Sequence, residues 1–369
     1  MSSRSTRRPS SCRTTARSAA DLVAAGIVAP EQAAAIDAVA ESFAVAVSPA
    51  MLDLIRSGDF DEGIARQFVP SAAELETRPE ELADPIGDEA HAPVKGIVHR
   101  YRDRVLLKPI HVCPVYCRFC FRREMVGPGS EALTPAELEA ALAYIRSQPG
   151  IWEVILSGGD PLMLSPRRLG HIVRALDAIA HVGVIRLHSR VPVADPARVT
   201  PALVAALEAA KAVFVVLHCN HPAELTEAAR AAIRAIQRAG IPMLSQSVLL
   251  KGVNDDAATL TALLRALVAA RIKPYYLHHA DLARGTAHFR TTIAEGQALM
   301  RALRGDVSGL CQPTYVLDIP GGHGKVPIGP AYLAEGGAPG RYRVADPGGR
   351  VHDYPPRCES GRESGQESD

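Results

Sequence analysis

Three cysteines stand within eight residues, Cys113, Cys117 and Cys120, in the spacing C-x3-C-x2-C. Thiolates are soft ligands that take up iron–sulfur clusters or zinc. Structural zinc uses four closed ligands, and no fourth cysteine or histidine pair stands nearby. Three thiolates on a four-iron cluster leave one iron open for a substrate or cofactor to chelate. The other cysteines, Cys12, Cys219, Cys311 and Cys358, are scattered. A short, cysteine-dense secreted scaffold is therefore excluded, no signal peptide is visible, and a reducing cytoplasm is the natural setting.

The second chemical signal is Asp318-Ile-Pro-Gly-Gly-His-Gly-Lys325-Val-Pro, which holds one of only six lysines in the chain. Glycines let a backbone approach a ligand closely. A lysine at the end of such a loop is a candidate for a Schiff base with pyridoxal phosphate (PLP). A P-loop would end in Gly-Lys-Ser/Thr, and Val326 stands where the hydroxyl is needed. Taken alone, the loop is a weak signal and reads better as a solvent-exposed glycine turn.

These groups need a scaffold. From Arg104 onward, short β-branched runs alternate with longer helical patterns. The predicted strands are Val105–Val112, Trp152–Leu156, Val182–Leu187, Val213–Leu217, Met243–Leu250 and Tyr275–His278. Helices are predicted over 134–148, 165–180, 200–210, 222–239, 256–271 and 291–304. Thr134-Pro135, Ser165-Pro166 and Thr200-Pro201 each set a capping hydroxyl before a proline at the first helical position. Six strand–helix repeats argue for an α/β fold with a parallel sheet, a partial (β/α)6 barrel. Reactive groups of such barrels gather at the carboxyl ends of the strands. The cysteine run, Ser157-Gly158-Gly159-Asp160, His188-Ser-Arg190, His218 and His279-Ala-Asp281 all fall there.

Five segments are expected: a disordered arm at 1–20, an N-terminal helical region at 21–95, the barrel at 96–305, a segment carrying Lys325 at 306–356 and a disordered tail at 357–369. The Ser- and Arg-rich start also has the composition of an organellar transit peptide. Residues 20–92 carry no obvious chemistry and read as a cap or oligomerisation layer. The 369 residues include 41 basic and 40 acidic ones, and 47% are hydrophobic. That is enough for a full core, gives no electrostatic footprint for nucleic acid, and contains no apolar run of membrane-span length.

The cysteine triplet followed by Ser157-Gly-Gly-Asp160-Pro-Leu162 resembles the radical S-adenosylmethionine (SAM) superfamily. The further Asp-x-Pro-Gly-Gly-x-Gly-Lys-x-Pro run is similar to the lysine 2,3-aminomutase family. The similarity extends over roughly residues 95–330. Its blocks include His99-Arg100-Tyr-Arg-Asp-Arg104, Cys120-Phe-Arg122-Arg123, Ser189-Arg190-Val-Pro-Val193, His218-Cys-Asn-His-Pro222, Gln246 to Asp255 and Asp281 to Arg290.

The resemblance implies a radical SAM barrel whose Cys113, Cys117 and Cys120 hold a [4Fe–4S] cluster. SAM would chelate the open iron, and the turn at Ser157, Gly158, Gly159 and Asp160 would face its methionine amine. Reductive cleavage in the family yields a deoxyadenosyl radical that abstracts hydrogen. Lys325 matches the lysine that holds PLP. Arg122 matches the arginine that pairs with the substrate α-carboxylate, as suits a planar guanidinium. Asp281 and Asp318 match two acids that hold the ε-ammonium of lysine; two converging carboxylates repel unless a cation lies between them. Arg100 and Arg104 are candidates for the PLP phosphate, and His218 and Gln246 for SAM or PLP contacts.

The implied activity is interconversion of L-lysine and β-lysine. Relatives with the same chemistry also serve elongation factor P modification or use arginine or glutamate, and a non-catalytic iron–sulfur protein is the reading from a different class. The implied partners are an amino acid substrate and a reductant such as flavodoxin or ferredoxin, with a homo-oligomer open. Phe119 stands where some relatives carry His, and His323 interrupts an otherwise all-glycine run. The zinc-binding cysteines of clostridial-type mutases have no counterpart at 231–235 or in the tail beyond Cys358, so no zinc is expected.

Overall fold

The computed structural model describes residues 14–57, 62–127 and 132–355. Most of the expected arm and all of the expected tail lie outside these residues, as do Cys12 and Cys358. Residues 14–20, which the sequence assigned to the arm, are packed: Ala16 bridges Val47, and Ser18 caps the first helix by accepting from Asp21 N. Buried alanines Ala16 and Ala19 account for the difference, because small residues leave little apolar signal in a sequence.

The N-terminal layer contains α1 (Ala19–Ala24), α2 (Ala33–Ala40), α3 (Pro49–Arg56) and α4 (Gly63–Phe68). Ser48 caps α3 ahead of a proline at its first position. Leu22, Ile36, Met51, Leu52, Ile64 and Phe68 form a core of their own, which also takes in Val115 and packs Cys117 at its edge. Residues 69–96 then run as a strap with short 3-10 turns at Ala72–Leu75 and Glu89–His91. Along its path Leu82 pairs with the 282–283 backbone.

The main sheet follows chain order, β1 (Ile97–Tyr101), β2 (Arg104–Ile110), β3 (Glu153–Gly158), β4 (Val184–Ser189), β5 (Ala212–His218), β6 (Met243–Leu249), β7 (Lys273–His279), β8 (Thr314–Ile319) and β9 (Gly324–Pro327). Strands β2 to β8 are mutually parallel, while β1 and β9 are antiparallel edges. The helices α5 (Pro135–Ser147), α6 (Pro166–Asp177), α7 (Val191–Ala194), α8 (Pro201–Ala205), α9 (Glu227–Arg238), α10 (Ala257–Ala269) and α11 (Ile293–Asp306) fill the crossovers. Thr134, Ser165 and Thr200 each accept from the third helical N–H, as their spacing predicts.

All six predicted parallel strands are present, and β8 adds a seventh. The segment expected to be separate from residue 306 thus supplies two sheet strands, because Thr314-Tyr-Val316 pairs along the free edge of β7. Only β10 (Leu333–Glu335), β11 (Tyr342–Ala345) and β12 (Val351–Tyr354) stand apart, as an antiparallel meander. The helix predicted from 222 starts at 227, since Pro222–Glu224 form a 3-10 turn and Thr226 is the cap.

The core lies between the sheet and the helices. Leu107, Val154, Leu156, Ile185, Leu187, Val215 and Leu217 meet Leu138, Leu142, Leu169, Ile172, Ile233 and Leu264, all essentially without solvent contact. Each such side chain contributes about 1.5–3 kcal/mol on burial. The sheet stops short of closure between β9 and β1. The Lys325 N–H donates to the Tyr101 hydroxyl at 2.8 Å across that gap.

Candidate active site

The cysteine loop leaves the carboxyl end of β2, and the neighbouring strand end is shaped to receive it. Gly158 has φ +97°, and a Cβ there would lie 2.9 Å from Lys108 Cβ. A Cβ on Gly159 would lie 2.6 Å from both N and O of Val112. Only glycine fits this close approach, so the Gly-Gly pair lets the β3 turn press on the backbone just before Cys113. Gly159 N donates to Ile110 O at 2.7 Å and Asp160 N to Val112 O at 3.0 Å.

Asp160 itself braces two strand ends. Its carboxylate accepts from Leu162 N, Arg190 N, Val191 N and the Ser189 hydroxyl, at 2.7–3.1 Å. Burial raises its pKa, and these donors oppose that shift.

The N-terminal layer, read from sequence as free of chemistry, holds the other side of the loop. Tyr116 N donates to Ala46 O and Arg118 N to Gln67 O. Arg118 is buried and meets Glu74 through Nε at 3.0 Å and Nη2 at 2.6 Å; Arg123 pairs with the same carboxylate. Arg190 spans the gap: Nη1 lies 3.3 Å from Cys117 Sγ, while Nη2 reaches Gln67 Oε1 and Glu224 Oε2, each at 2.6 Å. The layer therefore supplies buried counterions and clamps.

The three cysteines are half-buried and unbridged. Burial pushes their thiols up, Cys120 to about 11, with Cys117 adding to the shift. Metal attachment reverses such a shift by binding the thiolate. Among the described residues no three His, Cys, Asp or Glu side chains gather closely enough to share one metal ion. A four-iron cube is larger than one ion and takes each thiolate on a separate corner. Three free thiols on one clamped loop fit that group.

Beside the open gap to β1, the hairpin of β8 and β9 brings Asp318 and Lys325 together as direct cross-strand partners. The glycine run makes this possible, with Gly321, Gly322 and Gly324 all at positive φ. Lys325 Nζ forms a short ion pair with Asp318 and lies 3.3 Å from His278 Nδ1. His278 in turn touches Asp318 at 3.3 Å and makes a short contact with Gln246. Burial, followed by the Lys325 charge, keeps the His278 imidazole below its usual range. His278 and Lys325 hold Asp318 well below the usual carboxylate range, against the effect of burial. Asp281 moves the other way: burial and then Asp318 raise it to about 7.

The remaining expected residues sort as follows. His218 and Gln246 are register partners on β5 and β6. His218 is pushed down to about 3 by burial, and its ring lies 5.4 Å from that of His188. Ser157 is buried at the end of β3. Arg122 and Arg100 converge on Asp88 in the strap, with Lys108 beside them. Arg104 is set apart from that cluster: it pairs with Asp103 and stacks 3.8 Å from the Tyr101 ring. Through Tyr101 it adjoins Lys325. Three buried cations around one carboxylate form a surplus that suits an anionic ligand such as a phosphate or carboxylate. His188 Nε2 and Arg100 Nε have no hydrogen-bond partner among the described residues.

Sequence reasoning missed Glu74, Asp88, Gln67, Glu224 and His278. His278 offered a signal, a histidine pair in an otherwise apolar strand. The acids offered little, since Glu74 and Asp88 stand in a Pro-punctuated acidic stretch that reads as solvated surface.

Residues 107–264 match the radical SAM superfamily, and residues 300–339 match the lysine-2,3-aminomutase family. The chain is 41% identical to an L-lysine 2,3-aminomutase of Clostridium subterminale over 79% of this chain and 70% of the relative. It is 40% identical to that of Acetoanaerobium sticklandii over 82% and 73%. A glutamate 2,3-aminomutase of Clostridioides difficile is 36% identical over 82% and 71%. The chain belongs to the lysine 2,3-aminomutase family of radical SAM enzymes, whose members work with a [4Fe–4S] cluster, SAM and PLP.

Proposed function

We propose that this chain interconverts L-lysine and β-lysine. The observation that carries the choice of lysine is the pairing of Asp281 with Asp318. Asp281 keeps its proton to about 7 through burial and the neighbouring carboxylate. Such a pair favours a substrate that brings a cation. A glutamate side chain would add a third carboxylate there.

Cys113, Cys117 and Cys120 would hold the cluster, with the Ser157–Asp160 turn beside the place for SAM. Together these groups, given an electron from a donor such as flavodoxin or ferredoxin, supply a hydrogen-abstracting radical. Lys325 would hold PLP, with Arg100 and Arg104 toward its phosphate and His218 and Gln246 lining the mouth; the pyridoxal ring supplies a delocalised sink for the migrating nitrogen.

The chain's own residues bind, orient and exclude water. Arg122 receives the α-carboxylate through its guanidinium. Held to PLP, Lys325 would no longer neutralise Asp318. The ε-ammonium of lysine takes that place, between Asp318 and Asp281. His278, neutral at physiological pH by its lowered pKa, accepts from or donates to Lys325 as the amine changes charge. Substrate lysine thus lies across the barrel mouth with its negative end at Arg122 and its positive end at the acids, which fixes the reacting carbons between them.

The test is turnover by anaerobically reconstituted protein with SAM, PLP and a strong reductant, offered lysine, arginine and glutamate side by side. β-Lysine as the dominant product is expected. A preference for glutamate, or no product from lysine, overturns the reading. Lys325→Ala should in addition remove the absorbance of bound PLP.

A further inference from the structure

We propose that Asp88 is a positioning residue that orients Arg122 to receive the substrate carboxylate; the inference rests on the reading of Arg122 given above. Asp88 is 1% exposed. Its Oδ2 accepts from Arg122 Nε at 2.9 Å and lies 2.8 Å from Nη2. Both contacts use one edge of the guanidinium. The other edge, made by Nη1 and the outer hydrogen of Nη2, has no hydrogen-bond partner among the described residues. A second carboxylate can dock there in the bidentate manner that guanidinium favours. The ring of Phe121, 4.4 Å from the Arg122 carbon, packs its face and limits tilting.

Asp88 is itself immobilised from both sides. Its N–H donates to Asp84 Oδ1 at 2.9 Å, and Glu89 N–H donates to Asp84 Oδ2 at 2.8 Å. Gly87, at φ +66°, lies so close to the lysine loop that a Cβ there would be 2.6 Å from Gly322 N. The strap is therefore wedged between the loop of Lys325 and the guanidinium of Arg122. Asp88 also lies 3.3 Å from Arg100 Nη2 and 3.7 Å from Lys108 Nζ. With Asp84 also acting on Lys108, two negative charges face three positive ones, and the cluster remains cationic. Asp88 orients Arg122 without cancelling the attraction for a substrate anion.

The experiment measures equilibrium binding to the PLP-loaded, cluster-reconstituted protein, read from PLP absorbance, with L-lysine and with 1,5-diaminopentane, which lacks the carboxylate. Asp88→Asn should weaken lysine binding about tenfold or more, the scale of one charge-assisted contact, and leave 1,5-diaminopentane unchanged. Arg122→Gln should erase the same preference, and the double variant should be no worse than Arg122→Gln alone. Asp88→Glu, which keeps the charge, should retain part of the preference and serves if the Asn variant does not fold. Equal weakening of both ligands by Asp88→Asn, or a full preference retained by it, overturns the proposal while Arg122→Gln remains affected. A preference that survives Arg122→Gln instead sinks the assignment of Arg122 itself.

Discussion

The clamp on the cysteine loop and the groups around Asp88 and Lys325 hold their buried charges in different ways. In the clamp around the cysteine loop each carboxylate is saturated: Glu74 lies between Arg118 and Arg123, Glu224 takes Arg190, and Asp160 accepts from four donors. Around Asp88 and Lys325 the balance is left open. Three cations share Asp88, and two acids share Lys325, with Asp281 protonated up to about 7. Paired buried charges fix a conformation, whereas unpaired ones favour whatever ligand completes them. The first arrangement fixes the loop that carries the cysteines, and the second suits a ligand that brings both charges, as the proposed lysine does.

The comparison breaks most visibly at Glu74. Glu74→Gln leaves two buried guanidiniums facing an amide, and removing one partner of a buried pair costs about 3–5 kcal/mol. The cysteine loop should lose its clamp to the N-terminal layer. Thermal unfolding should move to a lower midpoint, and iron and sulfide bound after reconstitution should fall with it. An unchanged midpoint and full iron content would show that the loop is held by other means.

On the lysine side the sharper probe is pH. Asp281 titrates at about 7 in the free site, against an ordinary 3.8. In the proposed reading lysine's ammonium meets the Asp281 carboxylate, so binding expels that proton. Affinity for lysine should rise about tenfold per pH unit, roughly 1.4 kcal/mol, up to about 7 and level off above it. Stability carries the opposite sign: the raised pKa favours the folded state below 3.8, and this contribution is lost as pH rises through about 7. Comparing the KM for lysine across pH in the parent and in Asp281→Asn isolates the effect, since the step should vanish in the variant. A step of equal size in both proteins would assign the titration elsewhere.

The same contrast explains what could be read from the amino acids alone. Cysteine spacing, the Gly-Gly pair and the Asp318–Lys325 interval are local: one loop or one hairpin sets their geometry, and a short run of residues records it. Strand–helix alternation likewise reports the barrel through periodicity. Glu74 and Asp88 act on arginines 44 and 34 residues further along. Their own surroundings, Ser-Ala-Ala-Glu and Ile-Gly-Asp-Glu, look like those of ordinary caps and turns. Nothing local distinguishes a buried counterion from a solvated acid until the strap is folded over the mouth. Strand β8 escaped for a related reason, since its pairing depends on the exposed edge of β7.

The finest test of a satisfied network is to remove one member of it. Ser189 donates to Asp160 Oδ2 at 3.0 Å and accepts from Val191 N at 3.0 Å. In Ser189→Ala, Val191 N keeps its bond to Asp160, and Leu162 N and Arg190 N are untouched. No buried donor is orphaned, so the loss should be that of one net hydrogen bond, about 1 kcal/mol. A small drop in unfolding midpoint with unaltered iron content is expected. Loss of the cluster from this variant would mean that the hydroxyl meets SAM or the cluster directly, and that the cysteine side too leaves a group waiting for its ligand.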